Sequence, residues 1–227
     1  MNKIKRIYSI LYKRFGPQGW WPLTLEGQLH PKHHGKAPKN DKQRFEIIIG
    51  AILTQNTNWK NVEKAICNLN KEKLININKI KKINKKRLAS LIRPSGYYNQ
   101  KAERLKIIAD FISQNKNPKR EQLLEIKGIG PETADSILLY ALQKPFFVVD
   151  AYTKRIFSRL GLCNGKCSYG ELQKLFHKNL QKKIKLFNEY HALLVELGKN
   201  HCKTKPICKN CPINKLCKNV RNFPSDL

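Results

Sequence analysis

The sequence predicts an all-α protein, and three observations carry that expectation. Apolar residues recur at helical spacing wherever a segment is long enough to judge, as in Phe45, Ile48, Ile49, Ile52 and Leu53, and again in Leu105, Ile108, Ala109 and Ile112. Gly and Pro breaks leave segments of helix length between them. The one short β-branched run, Phe146-Phe147-Val148-Val149, reads as an extended link into the next helix and not as a sheet strand. In chain order the breaks fall at Gly16-Pro17-Gln18-Gly19, in the loop from Gly27 to Asn40, at Pro94-Ser95-Gly96, at Asn117-Pro118, at Gly128-Ile129-Gly130-Pro131, and from Gly161 to Ser168. No repeat of fixed period is visible.

The 227 residues suffice for one or two compact domains, and a hydrophobic fraction of 41% excludes disorder for the bulk of the chain. With 45 Lys and Arg against 16 Asp and Glu, the formal charge is +29. A field this positive draws in polyanions, so nucleic acid is the expected partner. Part of the excess reflects compositional bias, as in the Lys-, Asn- and Ile-rich string of residues 75–86. Membrane-surface binding fits less well, because the basic residues are scattered along the chain. The longest apolar run, Ile47 to Leu53, is far shorter than the roughly 20 residues that span a bilayer. The charged start of the chain is interrupted by Tyr8, Tyr12, Lys13 and Arg14, unlike a signal peptide. A cytoplasmic monomer, nucleoid-associated through its nucleic-acid partner, is expected.

Three segments carry chemistry. Leu123 to Ala134 reads as a helix end, a Gly turn and a new helix start, with Pro131 in the first turn. Exposed amides at such a start favour a phosphate, which Gly128, Ile129 and Gly130 would hold without reading base sequence, with Lys127 beside them. Asp150 ends an apolar run just before a helix-like segment, where it caps the helix and stays ionised. A carboxylate of that kind can stabilise a sugar cation or orient a water. Finally, Cys202, Cys208, Cys211 and Cys217 form C-x5-C-x2-C-x5-C. Four thiols so close suit zinc or an iron–sulfur cluster, and the single C-x2-C pair favours [4Fe–4S]. Cys67, Cys163 and Cys167 read as structural or incidental thiols, and His30, His33 and His34 as a solvated loop.

In order and spacing, Ala51-Ile52-Leu53-Thr54-Gln55-Asn56-Thr57, the Gly128-Ile129-Gly130 turn with Thr133-Ala134, Val149-Asp150 and the four cysteines resemble the helix-hairpin-helix DNA glycosylases of the endonuclease III superfamily. The resemblance runs over about residues 45–217 and implies two helical domains flanking a DNA-binding cleft. One is a six-helix bundle over 38–144 that carries the hairpin. The other joins 1–37 to 145–227 and holds a [4Fe–4S] cluster on Cys202, Cys208, Cys211 and Cys217, although the first spacing is one residue shorter than the family's. The partner implied is double-stranded DNA with damaged bases, which are flipped out and excised in base excision repair. Asp150 matches the catalytic aspartate, Gln55 the residue that probes the vacated gap, and Lys127, Gly128, Ile129, Gly130 and Thr133 the DNA-binding hairpin.

Glu132 stands where bifunctional members carry the attacking lysine, and a carboxylate forms no Schiff base. The resemblance therefore implies a monofunctional enzyme with water as nucleophile. Trp20-Trp21-Pro22, Phe45 and Gly96-Tyr97-Tyr98-Asn99-Gln100-Lys101-Ala102 resemble the 3-methyladenine glycosylase III branch, in which Trp20, Trp21, Pro22 and Phe45 would line the base pocket. An aromatic slot suits a cationic alkylpurine. Two other readings stand beside this one: a glycosylase for oxidised or deaminated pyrimidines, and a non-catalytic DNA-structure-binding protein.

Overall fold

A computed structural model describes residues 2–163 and 165–218, so the tail 219–227 that the sequence reading assigned to the second domain lies outside the described residues. The chain is all-α: among the described residues there is no strand, only an isolated antiparallel bridge between Leu23 and Lys32. No helix among them is long and apolar enough to cross a membrane.

The residues fall into two compact units, Met1–Trp20 with Pro145–Leu227, and Trp21–Lys144. The expected boundary after residue 37 lies instead after residue 20. The reason is local bonding, because residues 21–37 are fastened to the helices of the second unit. Thr24 N donates to the buried carboxylate of Glu46 at 2.7 Å, and Asn70 Nδ2 donates to Thr24 Oγ1 and to the Leu29 carbonyl.

The second unit contains seven α-helices, where six were expected. These are α2 (Asp41–Leu53), α3 (Trp59–Lys71), α4 (Ile77–Lys82), α5 (Lys85–Leu91), α6 (Tyr98–Gln114), α7 (Arg120–Leu124) and α8 (Pro131–Ser136), the last running on into a π-turn over Ile137–Ala141. The first helix of the chain, α1 (Lys3–Phe15), belongs to the other unit. Each of α1 to α5 is capped by an asparagine, namely Asn2, Asn40, Asn58, Asn76 and Asn84, whose side chain accepts from a main-chain N–H two or three residues on. Such caps contribute about 1 kcal/mol each. Asn76 and Asn84 lie in the string attributed to compositional bias, and Asn84 starts α5 directly after the extended Ile83 that ends α4.

The core of this unit is aliphatic, with α2 and α6 at its centre: Ile48, Ile49, Ile52, Leu53, Leu105 and Ile108 are all essentially inaccessible. Lys101 of α6 is buried among them. Its Nζ donates to the Leu53 carbonyl at 2.8 Å and the Ser95 carbonyl at 2.7 Å, pinning the C-terminal end of α2. Burial, with Arg104 adding to it, brings this ammonium from its ordinary 10.5 down to about 8.

The first unit packs α1 against α11 (Ile184–Asn200), with α9 (Ala151–Arg159) and α10 (Tyr169–Asn179) completing it. Its centre is aromatic. The Phe147 ring stacks on Phe176 at 3.6 Å between centroids, with Phe187 and Tyr190 edge-on to Phe147, and Tyr190 Oη donates to the Ile4 carbonyl.

Replacing the buried ammonium tests its part in the core. Lys101→Met leaves the Leu53 and Ser95 carbonyls without their donor and is expected to cost about 3 kcal/mol in urea unfolding. Between pH 8 and 10.5 the unfolded chain holds a proton that folded Lys101 has lost, so this group adds stability as pH rises, a slope that the variant lacks.

Candidate functional site

The residues singled out by sequence occupy both units, and each half is built by its own contacts. In the first unit Asp150 ends the extended link 145–149, whose Phe147, Val148 and Val149 are buried. Buried main chain outside a helix needs hydrogen-bond partners, and side chains of α10 provide them here. Phe147 N donates to His177 Nε2 at 3.1 Å, Gln173 Nε2 donates to the Phe147 carbonyl at 2.7 Å, and Val149 N donates to Tyr169 Oη at 3.4 Å. The link is thereby held straight into α9, with Asp150 as the N-cap.

One oxygen of Asp150, Oδ1, accepts from Thr153 N at 2.7 Å and from Thr153 Oγ1 at 2.8 Å. The other, Oδ2, faces His191 Nε2 of α11 at 3.5 Å. Burial pushes the carboxyl's pKa up, yet contact with His191 and the two donors of Thr153 outweigh it, leaving Asp150 below the ordinary carboxylate range. His191 was not anticipated, since no local signal connects two residues forty positions apart.

The far end of α9 grips the four-cysteine segment. Arg155 Nε donates to the Cys202 carbonyl at 2.7 Å. Arg159 donates to Cys202 Sγ at 3.3 Å and to the Lys203 and Thr204 carbonyls, while Cys217 Sγ donates to the Arg159 carbonyl. Cys202, Cys208, Cys211 and Cys217 line one cavity with apolar walls that include Ile156, Leu160, Leu197 and Ile213. Burial pushes the Cys211 thiol up to about 11. Among the described residues no three His, Cys, Asp or Glu side chains converge on a single ion. Cys163 and Cys167 are neighbours, and burial first, then the Cys167 thiol, pushes Cys163 up to about 11.

In the second unit the turn between α7 and α8 has the predicted form. Gly128 takes φ +86°, a backbone angle that favours glycine, and Arg104 packs over the place where a Cβ would stand. Gly130 is the N-cap of α8 and Pro131 its first residue. Ile129 is buried, so the turn offers main chain to a ligand and not a side chain. The two helices are locked by Arg120, whose Nε and Nη2 donate to the inaccessible carboxylate of Asp135 at 2.6 and 3.0 Å.

Gln55, just beyond α2, is tied to this turn. Its Nε2 donates to the Gly128 carbonyl at 3.0 Å and to Thr133 Oγ1 at 2.9 Å, and its Oε1 accepts from Arg104 Nη1. Thr133 is buried, so its hydroxyl serves Gln55. Lys127 and Glu132 are exposed on either side of the turn.

The aromatic residues are divided. Trp20 is half-buried in the first unit, whereas Trp21 and Pro22 are buried in the second and Phe45 is deep in its core. Trp21 lies so close over Gly50 that a Cβ there would meet its ring at 2.9 Å. Tyr140 and Trp59 pack on Trp21 at 5.0 and 5.6 Å between centroids, the half-exposed Trp59 edge-on. His33 in turn stands edge-on to Trp59. His30 is exposed, as expected of a solvated loop, and its ring contacts the buried Cys67 Sγ at 3.3 Å and Glu63 at 3.5 Å.

The comparisons agree with this arrangement. Residues 49–182 match the model of the HhH-GPD superfamily base excision DNA repair proteins. A protein of Methanocaldococcus jannaschii, provisionally named a DNA repair glycosylase, is 47% identical, covering 94% of this chain and 95% of its own length. Endonuclease III of Thermotoga maritima is 30% identical over 81% of this chain and 88% of its own. Among solved structures, the H. pylori 3-methyladenine DNA glycosylase bound to 1,N6-ethenoadenine superimposes with a TM-score of 0.67 at 30% identity, over 88% of this chain and 98% of that one. A capped carboxylate, a glycine turn that presents main chain, and relatedness along nearly the whole chain lead to one conclusion: this chain belongs to the HhH-GPD superfamily of base excision DNA repair proteins, as a DNA glycosylase related to endonuclease III.

Proposed function

We propose that the chain is a monofunctional glycosylase for alkylated purines such as 3-methyladenine in double-stranded DNA. The observation that carries the reading is the state of Asp150: a buried carboxylate kept ionised by Thr153 and His191, in a chain whose turn at 128–130 carries no lysine at position 132. A damaged nucleotide flipped from the duplex brings its sugar to such a carboxylate. The C1′–N bond breaks with its electron pair leaving on the base. A cationic alkylpurine departs neutral, and the oxocarbenium-like sugar is stabilised by the negative charge of Asp150. Water steered by the same carboxylate bonds to C1′ and gives up its proton. Glu132 is an exposed carboxylate at the first turn of α8 and supplies no amine for strand cleavage.

Substrate class rests on the aromatic residues. Trp59 is half-exposed and backed by the buried Trp21, and an electron-rich ring favours a cationic base by about 0.5–2 kcal/mol. The weakened glycosidic bond of that base supplies the rest of the selectivity. The likeness to a solved 3-methyladenine glycosylase supports this reading.

The four thiols fit a [4Fe–4S] cluster. All four line one cavity, and four closely spaced thiols with a single C-x2-C pair suit that cluster better than a zinc ribbon. Bound there, the cluster would cross-link residues 202–217 through four iron–thiolate bonds. Arg159, donating to Cys202 Sγ, would compensate its negative charge.

Incubation with methylated duplex DNA and chromatography of the released bases should show 3-methyladenine, with strands intact until alkali is added. Asp150→Asn should lower that release by at least about a hundredfold; undiminished release would make Asp150 a helix cap alone. His191→Leu removes the partner of Oδ2 but leaves the burial, so the carboxyl titrates higher. Wild-type activity should persist to lower pH than that of the variant, whose acid limb moves up. The purified protein should be brown, with broad absorbance near about 400 nm, and each cysteine-to-alanine change at 202, 208, 211 or 217 should bleach it. A colourless zinc protein would refute the cluster.

A further inference from the structure

We infer that Arg104 is a ligand for a DNA backbone phosphate beside the 128–130 turn, and that it binds from the same position in which it holds Gln55. The inference rests on the DNA reading above and assigns a contact that the glycine turn alone does not supply. Arg104 lies on α6, outside the motif, yet its side chain packs over Gly128 so closely that a Cβ there would run into its Nε, Cδ and Cζ. One Nη1–H is spent on Gln55 Oε1, the one acceptor that Arg104 has among the described residues. A guanidinium carries five N–H donors in a rigid fork, and those left over suit two phosphate oxygens at once.

The surroundings fit an anion. Arg104, Lys127 and Gly128 line an open cavity of about 300 Å³ together with Gln100, Glu103 and Ile107. Glu103 is the one acidic side chain in that lining; Lys85 Nζ binds its carboxylate at 2.9 Å, and Lys127 and Arg104 act on it as further cations. Lys127 adds a second cation on the exposed side of the turn. Two cations against one carboxylate already shared with Lys85 leave a positive seat. Because the same guanidinium touches Gln55, a phosphate seated here is felt by the residue whose amide reaches Gly128 and Thr133.

The measurement is the affinity of the full chain for undamaged duplex DNA, by fluorescence anisotropy at several salt concentrations. Each phosphate contact contributes about 0.9 to the slope of log affinity against log salt. Arg104→Ala and Arg104→Gln should each make the slope shallower by about one contact, as Lys127→Ala should. Arg104→Lys should retain it, because the charge remains. Gln55→Ala should leave the slope unchanged, since the amide carries no charge. If Arg104→Ala and Arg104→Gln, both melting within a few degrees of the unaltered chain, keep the full slope, Arg104 is a strut for Gln55 alone and the inference is overturned. If the unaltered chain shows no salt-dependent binding, the DNA reading itself fails, an outcome distinct from the first.

Discussion

The structure depends on keeping one carboxylate ionised inside protein. Burial opposes charge, so Asp150 remains a carboxylate only while Thr153 donates twice to Oδ1 and His191 stands at Oδ2. Those contacts require that α9 begin at residue 150 and that α11 pass alongside. They also require the link 145–149 to stay extended, although it is buried and has no sheet to bond with. His177, Gln173 and Tyr169 meet that last need from α10. A helix cap, which any asparagine could provide, is thus kept charged by what surrounds it.

The second unit solves a complementary problem. It must present bare main chain to a phosphate while preventing the glycine turn from sampling other shapes. Gly128 can occupy its left-handed angle, but glycine alone confers freedom and not order. Order comes from outside the turn: Arg120 and Asp135 lock α7 to α8, Arg104 lies over Gly128, and the Gln55 amide bonds to both sides of the bend. Lys101 then ties the end of α2, two residues before Gln55, into the core. Recognition and stability share these side chains.

This division explains what could be read from the sequence. Helical periodicity, the Gly128-Ile129-Gly130 turn, the capping aspartate and the spacing of four cysteines are local patterns, each visible within a few residues. The partners that give them chemistry are remote in sequence: His191 for Asp150, Arg104 for Gln55, Lys101 for the end of α2. The Asn-rich string misled for another reason, since composition was weighed where position mattered, and Asn76 and Asn84 are caps. Nor does any local pattern signal that the boundary between the two compact units falls between the adjacent Trp20 and Trp21.

The same logic joins the cysteine loop to the reaction. Helix α9 has nine residues, about 13.5 Å at 1.5 Å per residue, with Asp150 capping one end and Arg155 and Arg159 near the other. Those two arginines hold Cys202 and the carbonyls after it, and Cys217 bonds back to Arg159. A loop of this length with little regular structure cannot order itself by burial. An α-helix, however, transmits position along its axis because every turn is bonded to the next. Closing the loop on a cluster would therefore fix one end of α9 and leave the other free only to do what Thr153 and His191 allow. A cluster bound there would steady the helix that carries Asp150, so the cysteine loop and the carboxylate are coupled through α9.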